Sequence, residues 1–400
     1  MVVAPQSLTR LRVERVVAGG DGLAREADGR VVFVPGGLPD EEVEVRLVSA
    51  KRDFARGELV QVLDPSPWRV RAPCPARARG CGGCDWQHAS AEGQMVMKAD
   101  VVREALRRTG RMPDAHVEIG GSVPSWAYRT SMRFSLDSEG RPSLRRARTN
   151  DDIVIGDCPV AHPALSELLP TLQIEGGGEV SLRVSASTGE RTAWWDPPEL
   201  AAVGLDPQVA TGADAHLVEH VHGVPFRVSA SSFFQSGPQA AALLVDTVRA
   251  VGGDALASAR RVLDAYGGVG LFACTVAGAD ADVVLVEGSA SACADAVVNL
   301  GDRRATVMHS PMLDWTPEHV DVIVADPSRQ GLGAEAVARL AATEADVVLL
   351  VSCDPVAMAR DAALLAEVGY AHSTTVVLDL FPQTHHVEGV SRFVRRRQNF

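Results

Sequence analysis

The stretch VVLLVSCDPVAMARD, Val347 to Asp361, reads as strand, turn and helix. Five apolar residues, Val347 to Val351, suit a strand buried on both faces of a parallel sheet. The chain breaks at Ser352-Cys353-Asp354-Pro355 and resumes as a helix from Pro355 to about Ala366. Proline suits a first helical position, because its missing N–H would have no partner there anyway. Cys353 is thereby placed at the carboxyl end of a strand, the edge where open α/β sheets hold their ligands. The helix dipole favours a thiolate at that point, and the neighbouring Asp354 carboxylate opposes it. Position alone weighs a reactive cysteine equally against a small buried thiol.

Outward from this stretch, strand and helix alternate strictly from about Arg260. Strands are expected at 260–265, 282–287, 305–309, 320–325 and 346–351, with a final pair at about 373–381 and 387–395. Helices fill the gaps, which predicts a doubly wound sheet. The last two strands have only a short connection and must be antiparallel. Five parallel strands ending in such a hairpin are the layout of class I methyltransferases, a Rossmann-like fold; that is an analogy of fold, and the site must carry the function.

The first of these strands ends in LDAYGGVGLF, Leu263 to Phe272. Its glycines, Gly268 and Gly270 among them, let the backbone turn tightly and approach a ligand beyond Asp264 and Tyr266. The dinucleotide fingerprint needs another glycine where Ala273 stands, which weakens the case for NAD. Glu287 ends the second strand, nineteen residues after Gly268, the place from which a carboxylate accepts both ribose hydroxyls of a bound adenosine. Loop, Glu287 and terminal hairpin together favour S-adenosyl-L-methionine. Asp326 ends the fourth strand in DPSRQG, and Glu388 follows FPQTHHV at the same sheet edge as Cys353. The bland readings are a strand-end turn for the first and an exposed carboxylate for the second. His385 and His386, as neighbours on a strand, would point to opposite faces.

The chain has 400 residues, 46% hydrophobic and 22% charged, and a net charge of −12. No apolar run approaches the roughly 20 residues of a membrane span, and Met1–Arg12 lacks a signal-peptide core. Seven cysteines, an odd number, argue for a reducing, cytoplasmic setting and for metal or catalytic thiols over disulfides. No obligate protein partner is evident. The expected division is 1–67, 68–228 and 229–400. The first segment alternates short β-rich runs with turn signals, as in a small barrel of the oligonucleotide-binding kind. In the second, Cys74, Cys81 and Cys84 fall within eleven residues, close enough that they must pair or bind metal. Cys158 is the best fourth ligand, with His88 or His162 behind it, and spacing does not choose zinc or an iron–sulfur cluster. From Ser66 to Thr149, 15 Lys and Arg stand against 8 Asp and Glu, a local balance of +7 that suits RNA in an otherwise acidic chain. Lys98 to Gly110 is expected as an amphipathic helix with a basic face. Trp86, Trp126, Tyr128 and Phe134 are candidates for base stacking, with core packing the commoner fate.

Together SCDP at Cys353, DPSRQG at Asp326, FPQTHHVEG at Glu388, FFQSG at Gln235 and LDAYGGVGLF at Asp264 resemble the RNA 5-methyluridine (uracil-C5) methyltransferases over nearly the whole chain. The N-terminal run GDGLAR…GRVVFVPGGLPDEEV resembles that family's TRAM module. The resemblance implies Cys353 as nucleophile and Glu388 as general base. It implies Gln235, Tyr266, Glu287 and Asp326 as cofactor contacts, and Cys74, Cys81, Cys84 and Cys158 as ligands of a 4Fe–4S cluster. It also implies a structured RNA substrate, 23S rRNA favoured over tRNA. Uracil C5 is too weak a nucleophile to take a methyl group unaided; a thiolate at C6 activates it, and a base then removes the C5 proton. Related cytosine-C5 enzymes use a second cysteine, absent at Asp326-Pro327-Ser328, which favours uracil. The rival readings are an RNA cytosine-C5 methyltransferase and a non-catalytic RNA-binding or folding factor.

Overall fold

The computed structural model describes residues 8–176 and 178–396. Five strands, Leu8–Val16, Gly22–Arg25, Val31–Val34, Glu42–Ala50 and Phe54–Asp64, close into a barrel. Alternation along them turns Leu11, Val13, Val32, Val34, Val43 and Val45 inward to one small core. Gly57 belongs to the design of that core, because a Cβ there would run into Val45.

A six-stranded sheet follows, built from short strands between Ser131 and Ala210, with the hairpin His216–Val221/Val224–Ser229 beside it. The C-terminal sheet has eight strands in the order Ala305–His309, Asp282–Glu287, Arg261–Ala265, Val322–Ala325, Val347–Ser352, Glu388–Arg395, Tyr370–Asp379, Val117–Ser122. The first five run parallel, and Glu388–Arg395 is antiparallel to both of its neighbours. That is the class I methyltransferase arrangement with one strand added at its edge.

The central strand shows why its sequence is uniformly apolar. Val347, Leu349 and Val351 pack into one core with Leu244 and Val248 of the helix Pro238–Ala257. Val348 and Leu350 pack into another with Leu340, Met358 and Leu365 of the helices Gly333–Ala342 and Pro355–Glu367. Every residue of Val347–Ser352 is buried, as a strand between two helical layers requires.

Three expectations are corrected here. The helix placed at 98–110 runs Ala91–Arg108, started by Ser90, whose hydroxyl accepts from Gly93 N at 3.2 Å. It packs on the helix Pro355–Glu367 and leads into Val117–Ser122, so residues 91–122 belong with the C-terminal sheet and not with the middle segment. Its basic face is narrower than expected. Lys98 is buried, and the exposed Arg103, Arg107 and Arg108 share Asp100 and Glu104. The wider arginine excess is offset in the same way. Arg69 pairs with Glu41, Arg133 with Glu179, Arg141 with Asp137, Arg145 with Asp152 and Arg148 with Asp21. Several of those acids come from outside the basic stretch, so the local +7 overstates the exposed positive field. Trp86, Tyr128 and Phe134 are core residues. No helix among the described residues is long and apolar enough to cross a membrane.

Candidate active site

The carboxyl edge of the C-terminal sheet gathers the residues that the sequence singled out. Ser352 pairs with Gly389 in antiparallel register, so Cys353 and Glu388 come next to each other at the strand ends. Asp326 ends the adjoining parallel strand, and Gln235 Nε2 reaches its Oδ2 at 3.5 Å. Burial raises all three acidic groups. Burial, then the Glu388 and Asp326 charges, push the Cys353 thiol up to about 12, with Arg329 pulling the other way. Desolvation pushes Asp326 up to about 7. Glu388, 4% exposed, is raised well above the usual carboxylate range by burial and by Asp326.

Of the opposing influences weighed at Cys353, burial and the two carboxylates outweigh the helix dipole, and the part played by Asp354 is that of a cap. Its carboxylate accepts from Val356 N at 2.9 Å and Ala357 N at 2.8 Å, capping the helix whose free N–H groups would otherwise have favoured a thiolate.

One strand further into the sheet, the glycine turn bends sharply. Tyr266, Gly268 and Gly270 have φ of 61°, 54° and 90°. At Gly267 a Cβ would lie 2.5 Å from Leu285 Cγ, so the turn presses directly on the next strand. Gly268 N donates to Glu287 Oε2 at 3.0 Å, and Ser289 N to Glu287 Oε1 at 2.7 Å, which fixes that carboxylate at the rim. Asp264 lies beneath. Its Oδ2 accepts from Ala273 N at 2.8 Å, and its Oδ1 is buried without a partner among the described residues. Burial, with Asp326 and Glu287 adding, holds this carboxyl up near 7. A buried orphan oxygen beneath a glycine turn is a fitting receptor for a polar ligand group.

Cys74, Cys81, Cys84 and Cys158 line one cavity of about 100 Å3, together with Arg77, Arg129 and apolar residues such as Met132 and Ile155. Burial pushes Cys84 up to about 12 and raises Cys158. Among the described residues no three His, Cys, Asp or Glu side chains converge as a ligand set for one metal ion. The two reserve ligands lie outside the cavity lining. His162 caps a short helix, its Nδ1 accepting from Ala164 N at 3.3 Å. His88 is largely buried, with Nε2 unpartnered among the described residues.

Sequence reading missed several residues of this region. Arg329 is the cation nearest in effect to Cys353, and only its place in DPSRQG hinted at it. His385 and His386 lie in the loop before Glu388, not on a strand, and their ring centroids are 4.4 Å apart instead of on opposite faces. His385 meets Asp85, and Lys98 meets Asp379 in the interior. These contacts join residues about 300 apart, where no local pattern points.

Sheet order, glycine turn and the carboxylate at the second strand end define a class I methyltransferase. A TRAM domain matches residues 7–60, the closed barrel. An uncharacterized RNA methyltransferase of Streptomyces coelicolor is 36% identical over 95% of this chain and 91% of its own length. Others from Streptomyces avermitilis and Corynebacterium efficiens are 34% and 32% identical, each over at least 94% of both chains. The solved Pyrococcus abyssi tRNA (uracil-54, C5)-methyltransferase, in complex with S-adenosyl-L-homocysteine, superimposes with a TM-score of 0.71. That match covers 96% of this chain and 100% of the other at 22% identity, and so speaks for the fold. The chain belongs to the TRAM-bearing family of class I RNA methyltransferases.

Proposed function

We propose that this RNA methyltransferase transfers a methyl group from S-adenosyl-L-methionine to C5 of a uridine in structured RNA, by way of a covalent bond between Cys353 and C6. The observation that carries the reading is the side-by-side placement of Cys353 and Glu388 beside Asp326 at one sheet edge. The Cys353 sulfur adds to C6 as a thiolate and moves the C5=C6 electrons toward C5 and the C4 carbonyl. S-adenosyl-L-methionine supplies the electrophilic methyl group and, while bound, a positive charge that favours the ionised forms of the acidic groups around it. C5 takes the methyl group, with S-adenosyl-L-homocysteine as the leaving group. Glu388, as carboxylate, then takes the C5 proton, the C5=C6 bond re-forms and the thiolate leaves, and proton exchange with solvent returns Cys353 and Glu388 to their starting states. Gln235, Asp264, Tyr266, Gly268, Gly270, Glu287 and Asp326 are assigned to hold the cofactor.

The barrel and the surface next to it would grip the RNA strand, with the target base turned out of its stack to reach Cys353. The favoured substrate is 23S rRNA, with tRNA second, and the working compartment is the cytoplasm. Cys74, Cys81, Cys84 and Cys158 are assigned to a 4Fe–4S cluster. That all four thiols line one cavity is what supports this assignment. Arg77 and Arg129 in the lining offset the negative charge of such a group.

Nucleoside mass spectrometry tests the reading: unmodified tRNA and 23S rRNA are incubated separately with the protein and S-adenosyl-L-methionine. New 5-methyluridine in one pool is expected. A methylated cytidine, or no methylated pyrimidine in either pool, would refute it.

A further inference from the structure

The loop from Leu380 to Val387 delivers Glu388, and its polar groups are met largely by segments from the N-terminal third of the chain. Lys98 Nζ donates to Asp379 Oδ1 at 2.6 Å and to Phe381 O at 3.2 Å. Gln383 N donates to Gln94 Oε1 at 2.7 Å, and Trp86 N to Gln383 O at 2.9 Å. Tyr128 OH donates to Pro382 O at 3.1 Å. Nearest to Glu388 the clamp is charged: Asp85 accepts from His385 N at 3.1 Å and meets His385 Nδ1 at 2.6 Å.

The barrel closes this point from outside. Gly20, at φ +88°, presses on it so tightly that a Cβ would lie 2.7 Å from His385 Cβ and 2.8 Å from Asp85 Oδ2. Trp86 Nε1 donates to Gly20 O at 3.0 Å and keeps the barrel turn in place. Barrel, cysteine-bearing segment and catalytic loop thus meet at Gly20, Asp85 and His385. Asp85 directly follows Cys84, and His385 is three residues before Glu388.

We infer that this three-way junction sets the position of the Glu388 carboxylate, with Asp85 and His385 as positioning residues for proton removal from C5. The inference rests on the proposed uracil-C5 chemistry. It divides the reaction in a way that simple loss of folding does not. Thiolate addition and methyl transfer form their bonds at Cys353 and beside the glycine turn, where the Glu388 carboxylate acts only through its charge. Proton removal from C5 is the step in which Glu388 itself must reach the reacting atom.

The test is a single-turnover reaction with labelled RNA from the pool that wild type methylates, quenched in detergent and resolved on a denaturing gel. Asp85→Ala removes both acceptors, and Gly20→Ala forces the junction apart from the barrel side without removing a charge. Both variants are expected to form the protein–RNA adduct at close to the wild-type rate. Both should then release it more slowly by roughly tenfold to a hundredfold, the cost of a misplacement of up to about 1 Å. Asp85→Asn, which still accepts from His385 N, should recover most of the release rate. Wild-type release by Asp85→Ala and Gly20→Ala would overturn the inference. So would equal losses of adduct formation and release. A wild-type protein that makes no 5-methyluridine would bring down the underlying reading as well, and is told apart by that first control.

Discussion

Cys353 stands beside Glu388 one step beyond the Ser352–Gly389 pairing, and burial together with the Glu388 charge raises the thiol's affinity for its proton. A thiol held near 12 is almost wholly protonated at neutral pH, so the proposed nucleophile would have to ionise once the site is filled. Reactivity of Cys353 in the free protein should therefore track the scarce thiolate.

Alkylation by iodoacetamide, followed at the Cys353 peptide by mass spectrometry, should be slow at pH 7.5. It should rise about tenfold per pH unit through pH 10, as expected for a thiol that titrates well above the working range. In Glu388→Gln the alkaline rates should be faster, since a negative neighbour is lost. A plateau below pH 8 would show that the thiol is acidic after all.

Asp354 caps its helix and leaves the thiol alone. Asp354→Ala should lower stability by about 0.5–2 kcal/mol in urea unfolding. Asp354→Asn, which keeps an acceptor for Val356 N and Ala357 N, should be close to neutral. Neither change should move the pH dependence of Cys353 alkylation; a shift toward lower pH would return Asp354 to the thiol's surroundings.

That role was legible in the sequence and went unread, since Asp before a helix-starting proline is itself a capping signal. Much else was read correctly, for physical reasons. Strands at 282–287 and 305–309 emerge with the limits expected, because parallel strands between helices are short apolar runs bounded by turns. The glycine turn was legible because Gly268 and Gly270 take left-handed φ values that favour glycine and Gly267 leaves no room for a Cβ against Leu285. The edge strand Val117–Ser122 was hidden by Gly120 and Gly121, which weaken any strand pattern, and it is held by pairing with Tyr370–Asp379. The arginines misled for a different reason. Charge counts along the chain do not see that Glu41 and Asp21, far away in sequence, sit on Arg69 and Arg148.

The Lys98–Asp379 pair shows the same limit, since its side chains are 0% and 3% exposed and 281 residues apart. Lys98→Ala should strand a buried carboxylate and cost about 3–5 kcal/mol. Lys98→Met combined with Asp379→Leu should recover most of that loss in urea unfolding. A loss below about 1 kcal/mol for Lys98→Ala would mean that the pair is solvated like a surface contact.

The central claim is that Cys353 bonds to the RNA and that Glu388 releases it. The most direct measurement is peptide mass spectrometry of Glu388→Gln after incubation with S-adenosyl-L-methionine and the RNA that wild type methylates. The expected result is an adduct on the Cys353 peptide carrying a methylated uridine, absent from Cys353→Ala. Formation of 5-methyluridine by Cys353→Ala, or an adduct on any other residue, would contradict it.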